Sequence, residues 1–412
     1  MLEEFFSDAR AIARHRAGVF GAYIDSFAAS LGARGYTWHS VRIAVWAVGR
    51  LGRWLDGRGL PITAVSEKTI VDFRATQRQP SWHQHGGDAV LHLLLSQLRS
   101  AGVTPEAVPP PEPSAADQLA AEFATYLLDE RSLSETTAVN YCPEARRLLS
   151  DKFGTGPIDL AKLCVADLHA FVARHARDYC ARRMQLMLCA LRSFLRFLYV
   201  RGDIPARLDP HVPTAPSWRK TQLPKYLSDD EIARVLASCD RRKPIGQRDY
   251  AILLLLARLG LRAGEVVSLE LNDIRWEAGE VSVCGKGGQR KRFPLFDDVG
   301  EALAAYLKNV RRNCDSRRVF LRAKAPYRGL GSSSTLDTIV EQALLRAGLD
   351  PPMKGAHLFR HSLATKMLRH GATLTEIGQI LHHTNPDTTS IYAKVDISGL
   401  RALALPWPGD CT

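Results

Sequence analysis

Two proline-rich breaks constrain how this chain can fold, because they separate its helical patterns into groups. The first break, VTPEAVPPPEPS, spans residues 103–114, and the second, DPHVPTAPSWRKTQLPKY, spans residues 209–226. Proline at this density excludes a continuous helix through either segment. The 412 residues therefore predict three blocks and two linkers: 1–102, linker 103–114, 115–204, linker 205–226, and 227–412.

The first two blocks share one helical plan. YIDSFAASLGARGYTWHSVRIAVWAVGRLGRWL and LAAEFATYLLDERSLSETTAVNYCPEARRLLSDKF each show an apolar helix, a polar turn and a second amphipathic helix. A short third helix follows in both, and equivalent points lie close to a hundred residues apart. The pattern favours duplicated helical modules, and chance similarity between amphipathic helices is the alternative.

The third block has a mixed pattern. Ser228 is typical of a helix N-cap because an acidic first turn follows it, and Ser134 plays the same part in the second block. The segment RDYAILLLLARLGLRAGEVVSLEL predicts a buried helix, a glycine break and another helix, and EVSVCGKGGQRKRFPL predicts a hairpin. We therefore expect a mainly α protein, with helical N-terminal modules and a mixed α+β domain that carries a small antiparallel sheet.

Composition narrows the functional classes. The formal charge of +12 favours a polyanionic partner, nucleic acid before a membrane surface, and a basic enzyme fits equally well. No apolar stretch approaches the roughly 18 residues of a membrane span, and MLEEFFSDAR lacks a signal-peptide core, so we expect an intracellular protein. The eight scattered cysteines are expected to be small buried hydrophobes, not disulfides or zinc ligands.

Four short islands in the third block carry side chains suited to one chemistry. They are LGLRAGEVVSLE with Arg262, GKGGQRKR with Lys286, HLFRH with His357 and Arg360, and ILHHTNPDTTSIY with His383 and Tyr392. Each island alone has an ordinary structural explanation. Together, guanidinium forks bind phosphate oxygens, histidines and lysine donate protons, and dense positive charge favours a tyrosine phenolate. The set indicates a site for a phosphodiester.

A metal site is the competing interpretation of HLFRH. His357 and His361 have the i, i+4 spacing of H-E-x-x-H sites, but no glutamate follows His357, and Arg360 between them repels a metal cation. HQHGGD at 83–88 could also bind a metal, although its glycines favour an exposed loop. We expect no metal. At 100° per residue, Phe359 begins a predicted buried stripe that continues through Leu363 and Met367, with both histidines pointing away and Arg360 at its border.

The ordered set Arg, Lys, His-x-x-Arg, His, Tyr resembles the tyrosine recombinases, or phage integrase family. GLRAGEVVSLELNDI, GKGGQRKRFPL, HLFRHSLATKML and ILHHTNPDTTSIYAKV carry the resemblance, which covers about 115–405. It implies that 115–204 is a SAM-like core-binding domain and that 227–412 is the catalytic domain with a C-terminal tail. Residues 1–102 lie outside this two-domain plan and are expected to be an extra module for DNA binding or assembly.

The resemblance also implies roles for individual residues. The implied catalytic residues are Arg262, Lys286 as general acid, His357, Arg360, His383 and Tyr392 as nucleophile. Glu265 matches a position that supports the first arginine, and His361 matches a supporting position beside the second. The family commonly has Leu-Gly-His where this chain has Leu381-His382-His383, and the spacing to Tyr392 favours His383 over His382.

DNA contacts are expected outside this set. On the predicted helix CARRMQLMLCALRSFLRFLYVRG, Arg182, Arg183 and Arg192 are candidates for phosphate contacts, and solvated basic side chains are the alternative. Arg290 and Lys291 on the hairpin are further candidates.

The resemblance implies a site-specific recombinase or integrase of a mobile element, acting without cofactor as a homotetramer on two double-stranded DNA sites. Accessory recombinases are possible partners, a membrane is not, and the expected location is the cytoplasm, on the nucleoid. Two alternatives remain open: a DNA-relaxing enzyme similar to type IB topoisomerases, and a non-catalytic DNA-binding protein on the same scaffold.

Overall fold

The structure is a computed structural model that describes residues 2–76, 87–106, 112–154, 156–215, 223–285, 289–383 and 385–395. The described chain divides into two compact units. The first contains the described residues of Met1–Val108, Lys225–Cys284 and Lys291–Pro386. The second contains those of Pro109–Pro224, Gly285–Arg290 and Asp387–Thr412.

The N-terminal module is helical throughout its described part. Thr37 and Ser66 begin two of its helices by accepting a hydrogen bond from the backbone N–H three residues ahead. Apolar side chains such as Phe27, Val45 and Leu94 are fully buried between the helices. The helices are α1 (Ala9–Ala17), α2 (Gly21–Ala33), α3 (Trp38–Asp56), α4 (Glu67–Ala75) and α5 (Gly87–Ser100).

The second module repeats the helical plan that the sequence predicts. Its helices are α6 (Ala115–Thr125), α7 (Glu135–Phe153), α8 (Val165–His175) and α9 (Ala181–Arg201). Ser134 caps α7 as expected. Both α3 and α7 have 19 residues, and a 3-10 turn precedes both α4 and α8. The paired starts Trp38 and Glu135, and likewise Glu67 and Val165, are 97 and 98 residues apart.

The third block is mainly helical and has one small sheet. Its helices are α10 (Asp229–Ala237), α11 (Pro244–Leu259), α12 (Ala263–Ser268), α13 (Asp297–Asn309), α14 (Ser333–Arg346), α15 (Ala356–Arg369) and α16 (Leu374–Ile380). The strands β1 (Ile274–Arg275), β2 (Glu280–Cys284) and β3 (Arg290–Pro294) are arranged in that order, with β1 antiparallel to β2. The predicted fold class is confirmed, and Ser228 caps α10 together with Glu231.

Three hydrophobic cores lie within the described residues, one for each block. The cores extend a few residues beyond the predicted block ends. Val103 and Thr104 are partly or fully buried beside the first core, and Leu208 and Val212 belong to the second core. The first residues of each proline-rich segment therefore pack against the preceding core, because their apolar side chains are buried there.

The described cysteines and helices can be compared with two expectations from the sequence, buried cysteines and the absence of a membrane span. The cysteine expectation was wrong for most positions: Cys142 and Cys239 are buried, whereas Cys164, Cys180 and other described cysteines are exposed or half-buried. Cys164 and Cys180 precede the first residues of α8 and α9, Cys284 ends β2, and Cys189 lies on the exposed side of α9. Among the described helices, none has the length and apolar character needed to cross a bilayer.

Candidate active site

Arg262 and Glu265 form the first part of the site. Arg262 is the N-cap of α12, and Glu265 is three residues further along that helix. The Glu265 carboxylate is 5% exposed and accepts two hydrogen bonds of 2.8 Å from Arg262, one from the backbone N–H and one from the guanidinium. Because both partners lie in the first turn of α12, local geometry alone holds the Arg262 guanidinium at the N-terminus of that helix. The supporting contact expected for Glu265 is present.

Arg360 on α15 is buried and binds the C-terminal ends of two helices, α11 and α16. It is 3% exposed, and its guanidinium donates 2.7 Å to the carbonyl of Gly260 and also to the carbonyl of Leu381. Gly260 ends α11 with φ +57°, and a Cβ there would press at 3.0 Å on Leu363 and Leu381. The guanidinium satisfies helix-end carbonyls and stays charged, so a fixed cation lies at this junction.

The predicted buried stripe on α15 was only partly right. Phe359 is fully buried, but Leu363 and Met367 are half-buried, and Arg360 lies inside the domain rather than at the border of the stripe. The reason is tertiary: α15 packs against α11, α14 and α16, so its covered surface is wider than one stripe. His357 is exposed, as its expected outward orientation predicts, whereas His361 is half-buried.

The start of α15 depends on a close approach from α14. Gly355 is its N-cap, and the Asp337 carboxylate accepts a 3.0 Å hydrogen bond from the N–H of Ala356. A Cβ at Gly355 would lie 2.7 Å from that carboxylate oxygen, so only glycine admits the contact without a shift. His357 sits in this first turn, and its ring centroid is 6.3 Å from that of His361.

The two adjacent histidines after α16 have different positions. His382 has φ +51°, the left-handed conformation at which the family commonly has glycine, and its ring packs edge-on against Phe293 of β3 at 4.9 Å. The N–H of His383 closes the helix end by donating 2.8 Å to the carbonyl of Gly378. His382 thus adopts the backbone conformation that glycine favours, and its ring packs against Phe293.

His383 lies in the field of the other cations. Burial lowers its pKa to about 4, and Arg360, Arg262, His361 and Lys291 add to that lowering, in decreasing order. Arg360 donates to the carbonyl of Leu381, and Lys291 donates to that of His382. Both acceptors directly precede His383 in the chain, so these cations lie beside it in the first unit. At neutral pH the imidazole is uncharged and can donate one ring N–H to an anion.

His361 has the same character as His383. Burial lowers its pKa to about 4, with His357 and Arg360 contributing. A neutral ring beside Arg360 adds no further charge repulsion to the site. A supporting role for His361 stays a prediction.

Lys291 joins the site from β3, which the sequence did not predict. Its ammonium donates 2.9 Å to the carbonyl of His382, and its pKa is lowered by burial and by Arg262 and Arg360. The sequence suggested only a DNA contact for Lys291. The alternation along the strand was the available signal, because Lys291 and Phe293 lie on the same face of β3 and Phe293 is buried.

Two predicted catalytic residues, Lys286 and Tyr392, are not among the described residues of the first unit. Lys286 falls at the hairpin tip, outside the described residues. Tyr392 belongs to the second unit, in a 3-10 segment Ser390–Val395, and its side chain is 1% exposed. Within that unit its N–H donates 3.0 Å to the carbonyl of Thr389, which is also buried. The tail after Val395 and most of HQHGGD also lie outside the described residues.

The candidate DNA contacts on α9 differ in their surroundings. Arg182 is exposed. Arg183 pairs with the fully buried Glu144 of α7, and Arg192 donates to the carbonyls of Val212 and Pro213 at 3.1 and 2.8 Å. Burial of Glu144 could not be predicted from the sequence, because the pattern of α7 around it is that of an ordinary amphipathic helix.

Arg290, the remaining candidate DNA contact, is exposed at the start of β3. The five candidate DNA contacts thus have distinct environments, and their part in DNA binding stays a prediction.

Fold and site together define a class of protein. It is mainly helical, and its mixed α+β domain gathers two arginines, a lysine and neutral histidines around one position. Such a set holds an anionic group with planar, charge-assisted hydrogen bonds, as a phosphodiester requires.

Comparison with known proteins agrees with that class. A sequence model of the Phage integrase family matches residues 225–398, and a model described as "Phage integrase, N-terminal SAM-like domain" matches residues 120–202. The chain is 44% identical to y4rA, described as an integrase/recombinase of Sinorhizobium fredii, over 97% of both proteins. It is 30% identical to the tyrosine recombinase XerC of Lactobacillus delbrueckii subsp. bulgaricus, over 68% of this chain and 95% of XerC.

Solved structures share the fold. The site-specific recombinase XerH bound to palindromic difH superposes with a TM-score of 0.54 at 18% identity, over 69% of this chain and 83% of XerH. The Tn1549 transposon integrase in complex with a circular intermediate DNA gives 0.52 at 16% identity, over 69% and 98%. The chain belongs to the phage integrase family of tyrosine recombinases, which are enzymes of DNA recombination.

Proposed function

We propose that this chain is a site-specific DNA recombinase that cleaves and rejoins DNA strands through a covalent 3′-phosphotyrosine. One observation carries the proposal, and it lies in the domain that matches the family. Arg360 and Lys291 donate to the two carbonyls that directly precede His383, and Arg360 also donates to the carbonyl of Gly260, two residues before Arg262. We take duplex DNA as the partner, because the site suits a phosphodiester and the chain carries a formal charge of +12.

Two arginines supply most of the binding and transition-state stabilisation in this proposal. Arg262 is held by Glu265, and Arg360 is held by two carbonyls. A guanidinium has five N–H donors in a planar fork, which suits the non-bridging phosphate oxygens. Negative charge on these oxygens grows as the nucleophile attacks, and prepositioned donors stabilise it without reorganising. A neutral His383 adds one N–H, and no metal ion is needed for charge balance.

Bond making and bond breaking are assigned to two residues. The Tyr392 oxygen forms a bond to phosphorus, the bond from phosphorus to the 5′ oxygen breaks, and the phenol proton leaves to water. Lys286, by its matching position, gives a proton to the departing 5′ oxygen. A 5′ hydroxyl from a second duplex then reverses these steps. One phosphodiester replaces another, so the exchange needs no ATP.

Burial of Tyr392 adds a requirement to the mechanism. Its side chain is 1% exposed, whereas a nucleophile must reach phosphorus. We therefore propose that DNA binding repositions the segment Ser390–Val395. Assembly as a homotetramer on two sites, possible use of accessory recombinases and action on nucleoid DNA complete the proposal.

A mobile element is the proposed source of the DNA sites. The match to y4rA spans 97% of this chain, whereas the match to XerC leaves about a third of the chain without a counterpart. The additional N-terminal module supports an element-specific recombinase over a minimal one.

A covalent-trapping assay tests the nucleophile. The unaltered protein, incubated with nicked duplexes from DNA flanking its gene, should give an SDS-resistant adduct, and sequencing that adduct maps the site. Tyr392→Phe should bind the same DNA with unchanged affinity and give none. Tyr306→Phe is the matched control, because Tyr306 is also a buried tyrosine and its hydroxyl accepts from Leu321. An adduct that persists in Tyr392→Phe contradicts the assignment.

A plasmid with two mapped sites separates the alternative functions. Exchange of the flanking segments supports a recombinase. Relaxation of supercoils without exchange would indicate a topoisomerase-like enzyme, and binding without either product would indicate a non-catalytic protein.

A further inference from the structure

The N-terminal module exposes two tryptophans on one helix. Trp38 and Trp46 of α3 are 51% and 55% exposed, while the opposite face of the same helix supplies fully buried core residues. Arg42 lies between them and stacks on Trp38 at 4.5 Å. Large aromatic side chains that are exposed beside cations are typical of a binding surface. The ordinary surface of a soluble domain has few of them.

A groove continues this surface between α1 and α3. Its volume is about 560 Å³, and its lining includes Arg14, His15, Trp46, Gly49, Arg53 and Asp56. A Cβ at Gly49 would come within 2.9 Å of the His15 ring, so glycine lets this ring of α1 pack directly against α3. We call the outer side of α3 together with this groove the α3 surface.

Charge on the α3 surface favours an anionic occupant. Arg14 and Arg53 are exposed, and Arg42 is half-buried, whereas Asp56 is the acidic residue in the groove lining. Burial and the neighbouring Arg14 and Arg53 lower the pKa of His15. Three arginines, two of them exposed, therefore belong to the same surface as the two indole rings. Duplex DNA presents the matching features, which are phosphates beside the apolar surfaces of the sugars and the base edges.

The module's architecture points the same way. Its helices repeat the plan of the second module, which matches the SAM-like domain of the phage integrase family. Trp38 and Trp46 are eight residues apart, or about 12 Å along a helix, which is close to the width of the DNA major groove. The exposed α3 surface thus has both the chemistry and the reach of a duplex contact.

We propose that the α3 surface binds duplex DNA outside the segment held by the second and third blocks. Arg14, Arg42 and Arg53 contact phosphates, and Trp38 and Trp46 pack against the sugars and exposed base edges between them. This rests on the proposed function for its DNA partner. It gives the additional module a specific task, which is to lengthen the DNA footprint of each protomer.

The ionic part is tested by titrating the full chain with a random-sequence duplex of about 60 base pairs at several salt concentrations. Arg42→Ala/Arg53→Ala should weaken binding by about tenfold or more and reduce the salt slope by about two, because each lost phosphate contact removes about one released counterion. Arg34→Ala is the matched control, since Arg34 is an exposed arginine of the same module that lies outside the α3 surface. It should leave both values unchanged.

The aromatic part has a different signature. Trp46→Ala should weaken binding about tenfold and leave the salt slope unchanged, because packing against sugars and bases releases no counterions. Trp46→Phe should recover part of the loss. Trp46 is mostly exposed, so neither variant should shift thermal unfolding.

Three outcomes would overturn the proposal. The first is binding by the double arginine variant within about twofold of the unaltered protein with the same salt slope. The second is a Trp46→Ala variant that binds DNA normally but sediments with a changed oligomeric state, which would assign the surface to a second copy of the chain. The third is equal loss in the Arg34→Ala control. Failure of the proposed cleavage chemistry is distinguishable, because it removes the Tyr392 adduct without changing these titrations.

Discussion

Replacing Arg360 by alanine tests whether one side chain both supports the domain and serves the site. The guanidinium donates to the carbonyls of Gly260 and Leu381, and it is 3% exposed. A hydrogen bond from a charged donor contributes about 1.5–3 kcal/mol, and the two carbonyls would lose their partner inside the domain. Some of that loss is offset, because removing the Arg360 cation relieves its repulsion with Lys291 and lets water enter the site. We expect a net loss of about 3 kcal/mol.

The assay is thermal and urea unfolding of the full chain, followed by adduct trapping. A loss of about 3 kcal/mol corresponds to a fall of roughly 6–12 °C in the midpoint for a domain of this size. Arg258→Ala is the matched control: Arg258 pairs with Asp298 at 2.7 Å on the surface, and such a pair contributes at most about 1 kcal/mol. Arg360→Lys keeps the charge but cannot reach both carbonyls, so it should fall between the two in stability and still trap little adduct.

A second readout follows from electrostatics. Arg360 is, after burial, the largest cause of the lowered pKa of His383, so Arg360→Ala should raise that pKa, as measured by NMR titration. The reasoning is refuted if Arg360→Ala unfolds within about 1 kcal/mol of the unaltered protein, which would mean that the carbonyls need no such donor. Normal adduct formation by the variant would remove Arg360 from the phosphate-binding set.

Two further predictions concern protonation and the first arginine. His361 and His383 both have a pKa near 4 when folded and near 6.5 when unfolded, so the unfolded chain binds more protons as pH falls through this window. Stability of the DNA-free protein should therefore be full above pH 6.5 and fall by about 2 kcal/mol at pH 5, after halving for solvent screening. Glu265→Gln keeps the shape but not the charge that holds Arg262, and should slow adduct formation about tenfold or more while DNA affinity changes little.

Controls for these two predictions come from nearby exposed residues. The pH-dependent loss should shrink in His383→Asn and persist in His370→Asn, since His370 is exposed at the end of α15. Equal pH dependence in both variants would exclude His383 as a cause. Glu270→Gln alters an exposed pair with Arg318 and should leave the adduct rate unchanged, so a loss equal to that of Glu265→Gln would point to a general charge effect.

The local parts of the site could be predicted from the sequence. Arg262 and Glu265 are one helical turn apart, and an acidic residue at that position of a helix start accepts from the residue that caps it whatever surrounds the helix. The same reasoning explains why the caps at Ser134 and Ser228 were found. Residue types and spacing were also enough to assemble the set of cations, since phosphate chemistry requires those groups.

Contacts between residues far apart in the sequence determined the other parts of the site, and the periodicity of the sequence does not encode such contacts. Arg360 meets Gly260 across 100 residues, and the resulting burial of a charged side chain contradicts the amphipathic pattern of its own helix. Lys291 meets the carbonyl of His382 across 91 residues, so a residue expected only on the DNA surface becomes part of the site.

The sequence by itself determined the helical plan, the fold class and the chemical groups of the site. Only the tertiary structure decided which cations are buried, which carbonyls hold them and which tryptophans remain exposed. The physical reason is that helix periodicity and capping depend on neighbours within a few residues, whereas burial and electrostatic coupling depend on which distant elements pack together.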